Sequence, residues 1–171
     1  MFRILVAEDD ESTRLLMCEV LRQAGYEPCP ACNGVEALEV MEHYQCDLAV
    51  VDITMPRMDG VAFTQTLREG NCDLPVLMVT ARVTQEDKRR GFRAGCDDYM
   101  VKPVDEEEML WRIEAPQHGG AAADGGRHGF GPQLDAGHHP WRRSAADGQG
   151  IYAFIQVIVL SQNIIYQASA H

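Results

Sequence analysis

The chain has 171 residues, 46% hydrophobic and 24% charged, with a formal net charge of −11. Residues 1–114 hold 12 Lys+Arg against 23 Asp+Glu, whereas residues 115–171 hold 3 of each. This length suits one ordinary domain plus an appendage; no basic patch offers itself to DNA, and no run of about 20 apolar residues offers itself to a membrane.

The elements alternate from the start. Residues 3–7, Arg-Ile-Leu-Val-Ala, form an apolar strand that runs into Glu8-Asp9-Asp10. Residues 11–25 carry Leu15, Leu16, Val20 and Leu21 at helical spacing, with Gly25 as the stop. Residues 26–31 make a second strand, whose Pro28 and Pro30 suit a sheet edge. After the Asn33-Gly34 turn, residues 35–43 form a helix with Ala37, Leu38 and Met41 inward. Residues 47–52 are the central strand, ending in Asp52, and Pro56, Asp59 and Gly60 mark the loop behind it. A third helix over 61–68 buries Phe63 and Leu67, and a fourth strand over 74–80 ends at Thr80. A basic helix follows over 85–94, then a strand over 98–101 that ends at Lys102-Pro103. The last helix, 105–114, faces Met109, Leu110 and Ile113 inward. Five strand–helix alternations predict an α/β fold, a doubly wound parallel sheet.

Composition then changes. Residues 115–150 hold nine of the fifteen Gly and four of the six His, with no apolar period. Such a segment cannot bury enough surface to offset its ordering entropy, and it offers no scaffold on which His118, His128, His138 and His139 could hold a metal. The apolar run at 151–160 is β-prone and lacks a partner layer. The six Cys are scattered through the strands and helices, and no signal peptide precedes them, so thiols in a reducing, cytoplasmic setting are expected. Cys29-Pro30-Ala31-Cys32 stands alone, without the second ligand pair a zinc site needs.

In an open parallel sheet, ligands bind at the carboxyl ends of the strands. Those ends bring acids, a hydroxyl and an ammonium to one edge. Clustered carboxylates repel unless a cation sits among them, and Mg²⁺ takes oxygen ligands of this kind. A carboxylate nucleophile with Mg²⁺, Lys and Thr makes a phosphoryl-accepting site.

Four motifs in order carry a resemblance: the acidic cluster after strand one, Asp52-x-x-Met-Pro-x-Met-Asp-Gly after strand three, Thr80-Ala81 after strand four and Lys102-Pro103 after strand five. Together they resemble the CheY-like receiver domains of bacterial two-component response regulators. The resemblance spans residues 2 to about 114, so a receiver domain is expected over 1–114 and an irregular tail over 115–171. It implies a five-stranded flavodoxin-like sheet of order 2-1-3-4-5. It also implies that Asp52 accepts phosphate from a sensor histidine kinase, so that the chain is a signalling domain and not an enzyme. Glu8, Asp9, Asp52 and the Thr54 carbonyl would hold Mg²⁺, Lys102 and Thr80 would bind phosphoryl oxygens, a cis peptide would precede Pro103, and Tyr99 would be the switch aromatic.

Residues 92–99 resemble the OmpR/PhoB subfamily, which dimerises through the fourth helix, fifth strand and fifth helix. Matching positions are Lys88 with Glu108 and Asp98 with Arg112. That subfamily continues into a winged-helix DNA-binding domain, whereas here Ala115-Pro116 breaks the fifth helix. The tail is expected to be an out-of-frame remnant, and DNA binding is not expected of this chain. The alternative is a haloacid-dehalogenase-like phosphatase, which also uses an Asp nucleophile with Mg²⁺ and Lys. Those enzymes carry Asp-x-Asp at the end of strand one, whereas Asp52-Ile53-Thr54 lacks the second acid.

Overall fold

A computed structural model describes residues 1–81 and 84–114, except the side chains at 85, 87 and 88. Everything expected of residues 115–171, and of the Lys88 side chain, lies outside these.

Strands β1 (Arg3–Ala7), β2 (Glu27–Ala31), β3 (Leu48–Asp52), β4 (Val76–Thr80) and β5 (Asp98–Val101) alternate with helices α1 (Glu11–Gln23), α2 (Gly34–His43), α3 (Gly60–Glu69), α4 (Gln85–Ala94) and α5 (Glu106–Glu114). The five strands pair in parallel in the order β2-β1-β3-β4-β5. This is the doubly wound order the resemblance implied. The proline-bearing β2 lies at an edge, where Pro28 and Pro30 leave no ladder bond unmade.

The period-2 pleat sorts the strand side chains into two layers. Ile4, Val6, Leu48, Val50, Leu77 and Val79 face one way, onto α1 and α5, with Met17, Leu21, Met109 and Ile113. Leu5, Ala7, Val51, Val76 and Met78 face the other way, with Leu38, Phe63 and Leu67. Every residue of β3 and β4 is buried, as both faces of a parallel sheet demand. Each fully buried Leu, Ile or Met side chain contributes about 1.5–3 kcal/mol.

Helix starts are set by side-chain caps. Asp10 accepts from the Thr13 amide, Asn33 from the Val35 and Glu36 amides, and Asp59 from the Ala62 amide. Asp105 does the same for Glu108. Strand starts respond to chain chemistry. β4 begins at Val76 and not at Leu74, because Pro75 has no N–H to donate, although its carbonyl accepts from Ala49. β2 begins at Glu27 because the Tyr26 amide is already committed to the Leu21 carbonyl.

Of the four apolar residues at helical spacing in α1, Val20 and Leu21 are buried and the other two are not. Leu15 and Leu16 are 59% and 44% exposed. The buried stripe of α1 is instead Met17, Cys18, Val20 and Leu21. At 100° per residue, Leu15 lies about 200° around the helix from Met17, so only one of the two apolar groups can face the sheet.

Candidate functional site

Register explains how residues far apart in sequence meet. Ala7 pairs with Val51, which sets Glu8 level with Asp52 at the carboxyl edge. Asp52 pairs with Val79, and Thr80 with Val101, which sets Thr80 one step and Lys102 two steps further along. The ladder continues past the strands through Glu8 N–H to the Ala31 carbonyl at 3.1 Å, Ile53 N–H to the Val79 carbonyl at 2.9 Å and Lys102 N–H to the Thr80 carbonyl at 2.8 Å. The loop after Asp52 then folds back tightly. A Cβ on Gly60 would collide with the Asp52 carbonyl oxygen, and the Gly60 N–H donates to the Ile53 carbonyl at 3.0 Å. Only glycine permits that approach.

At this edge Lys102 joins two buried acids. Its Nζ donates to Glu8 Oε1 at 2.9 Å and to Asp52 Oδ2 at 3.1 Å. Glu8 is wholly buried, Asp52 is 3% exposed and Thr80 is 6% exposed. Burial is the largest influence on Glu8; it outweighs Lys102 and pushes the carboxyl above its ordinary range, with Asp52 adding to the rise. Burial would also lower Lys102, but its hydrogen bonds to Glu8 and Asp52 outweigh this, and its ammonium is held above the usual range. The Thr54 amide donates to Asp52 Oδ1 at 3.3 Å. The Lys102-Pro103 peptide is cis.

Asp9, on the exposed rim, completes an acidic trio. Oxygens of Glu8, Asp9 and Asp52 lie within 4.8 Å of one another. Glu8 Oε2 is buried without a hydrogen-bond partner. The Lys102 ammonium lies 2.8 Å from it but directs its hydrogen bond to Oε1. Three carboxylate donors, one of them with a buried oxygen whose neighbour is the Lys102 ammonium, fit a hard divalent cation such as Mg²⁺.

The remaining expected residues lie on the β5 side of the sheet. Tyr99 is 8% exposed and packs in the same core layer as Met78, its ring 5.4 Å from that of Phe92. Asp98 and Glu108 both pair with Arg112 inside one chain, at 2.8 Å and 2.7 Å. Phe92, Val101 and Trp111 are exposed on α4, β5 and α5. Arg14 was not expected at the site. Its Nη1 reaches the carbonyl oxygens of Glu8 at 2.6 Å and Asp9 at 3.3 Å. A side chain that serves main-chain carbonyls leaves no spacing signal in the sequence.

The model of the response regulator receiver domain family matches residues 4–114. The chain belongs to that family. It is therefore a phosphorylation-controlled signalling domain, of a kind that interacts with histidine kinases. It is similar to the transcriptional regulatory protein RprY of Bacteroides fragilis, with 38% identity over 113 residues, 66% of this chain and 48% of RprY. It is 41% identical over 115 residues to the DNA-binding dual master transcriptional regulator RpaA of Synechocystis, again covering 66% of this chain and 48% of the relative. The chain thus spans about half the length of the curated relatives it matches. Among solved structures it resembles the chemotaxis protein CheY4 of Vibrio cholerae, with a TM-score of 0.64 and 31% identity over 66% of this chain and 96% of that one. None of these relatives supports the phosphatase alternative. Among the described residues, no helix is long and apolar enough to cross a membrane.

Proposed function

We propose that Asp52 is the phosphoacceptor of this receiver and takes its phosphoryl group from a sensor histidine kinase in a Mg²⁺-dependent step. The observation that carries this reading is the bridge from Lys102 to both Glu8 and Asp52 at the carboxyl edge. An Asp52 oxygen attacks phosphorus in line, the phosphorus–nitrogen bond of the phosphohistidine breaks, and its electron pair returns to the imidazole. Lys102 offsets charge on a phosphoryl oxygen, and the Thr80 hydroxyl donates to another. Glu8, Asp9, Asp52 and the Thr54 carbonyl would hold Mg²⁺, which when bound neutralises charge on the transferred group.

The finer assignments rest on the same reading. Residues 1–114 form the receiver, of OmpR/PhoB type, and it works in the cytoplasm. Tyr99 and Thr80 couple the site to the surface of α4, β5 and α5. A homodimer through that surface would use Lys88, Asp98, Glu108 and Arg112. Because Arg112 already pairs with Asp98 and Glu108 in one chain, dimerisation would exchange those pairs for cross-subunit ones. Residues 115–171 are an out-of-frame remnant of a linker and DNA-binding domain, so transcriptional output is lost from this chain. Winged-helix patterns in another frame of the encoding DNA would support that, and their absence would end it.

Intact-mass spectrometry after incubation with acetyl phosphate, with Mg²⁺ and with chelator, tests the main proposal. Phosphorylation in both conditions alike would remove the metal from the account.

A further inference from the structure

Arg14 closes the first turn of α1, where the helix dipole disfavours a cation by about 0.3–1 kcal/mol. Something must offset that cost, and its contacts supply it. The carbonyl oxygens of three successive residues accept from this one arginine. Its Nη1 lies 2.6 Å from the Glu8 oxygen and 3.3 Å from the Asp9 oxygen, and its main-chain N–H donates to the Asp10 oxygen at 2.9 Å. Glu8 and Asp9 lie beyond the end of β1 and before the start of α1, and among the described residues no main-chain N–H bonds their carbonyls.

We propose that Arg14 is a positioning residue of the acidic site: by holding the Glu8 and Asp9 carbonyls with its guanidinium, it aims the Glu8 and Asp9 carboxylates at Asp52. The inference rests on the reading of Glu8, Asp9 and Asp52 as a divalent-cation site. Adjacent acids in a turn repel, and an unrestrained turn would rotate one of them into water. The Asp10 side chain is held elsewhere, by the Thr13 amide and hydroxyl, both at 2.7 Å. The Asp10 amide meanwhile donates to Glu8 Oε1 at 3.2 Å. Arg14 thus completes a turn in which the Glu8 and Asp10 carboxylates have named partners and the Asp9 main chain is held.

The sign of one measurement separates positioning from simple charge. If Arg14 acted only as a nearby cation, removing it would tighten Mg²⁺ binding. If it positions the turn, removing it weakens binding, by about tenfold or more, as loss of a partner that orients a metal ligand does. Mg²⁺ titration of the full chain by calorimetry should give the weakening in Arg14→Ala and a smaller one in Arg14→Lys, which keeps the charge but not the fork of donors. In metal-free protein, hydrogen exchange at the Asp10 amide should quicken in Arg14→Ala while amides of β4 keep their wild-type protection. Unchanged or tighter Mg²⁺ binding in a folded Arg14→Ala overturns the proposal. Quickened exchange in a chain whose wild type binds no Mg²⁺ would keep the restrained turn but overturn its metal-directed purpose, and with it the reading of the site.

Discussion

Lys102 stands between two buried carboxylates, so its removal leaves charge without a counter-ion. Lys102→Ala should slow phosphorylation by about 10²–10³-fold, the usual cost of losing one donor to a developing charge. It should also lower metal-free stability, by less than the roughly 3–5 kcal/mol of a wholly buried pair, because the Lys102 side chain keeps 23% exposure. Kinetics at saturating Mg²⁺ and urea melts check the two halves separately. Glu8 makes the opposite kind of contribution. Its carboxyl is raised by burial, so what it adds to stability is present below its unfolded value, near 4.5, and is lost as pH rises through the folded value. Metal-free Glu8→Gln should therefore melt higher than wild type near neutral pH, with the gap closing as pH falls toward about 4.5. Thermal melts across that range would show the convergence; a gap independent of pH would mean that Glu8 is not destabilised by its burial. At this scale the sequence was most legible where side chain met side chain. Asp52, Lys102, Glu8, Asp9 and Thr80 are recognised because strand ends that carry acids, an ammonium and a hydroxyl form a pattern. Arg14 acts on carbonyls, which every residue has, and no pattern of residue types records it.

At the scale of elements, Gly91 has an unusual place in the interior of α4. Helix propensity alone says that Ala there would stabilise the helix by about 1 kcal/mol. A Cβ on Gly91, however, would collide with the Tyr99 phenol and come within 2.9 Å of Met78 Sδ. Gly91→Ala should thus cost roughly 1–3 kcal/mol, as overpacking does, or push Tyr99 from its buried position. Adding Tyr99→Ala should return most of what Gly91→Ala alone removes beyond the cavity cost, a coupling that a double-mutant cycle by denaturant melt measures. Additive losses would mean that the two do not compete for the same space. Helices and strands could be read from apolar period, and their order from alternation. What period could not decide was which stripe of α1 faces the sheet. Leu15 and Leu16 lost that place to Met17, which is buried in the same core layer as Ile4 and Val6. Strand starts at Val76 and Glu27 were set by a proline lacking its donor and by an amide spent on a helix end, neither of which hydropathy reports.

For the whole molecule, every assigned site residue lies within 1–114, and so does the family match at 4–114. Deleting residues 115–171 should leave Mg²⁺-dependent phosphorylation within about twofold of the full chain, and the initial rate with acetyl phosphate measures it. The central claim is that one carboxylate, at the end of the central strand, receives the phosphoryl group. Peptide mapping of the phosphorylated chain by mass spectrometry, beside an Asp52→Asn variant with an unchanged melting profile, tests this most directly. The account predicts a single modified peptide containing Asp52 in the wild-type chain and no modification in the variant. A phosphoryl group on another residue of the wild type, or undiminished labelling of Asp52→Asn, would contradict it.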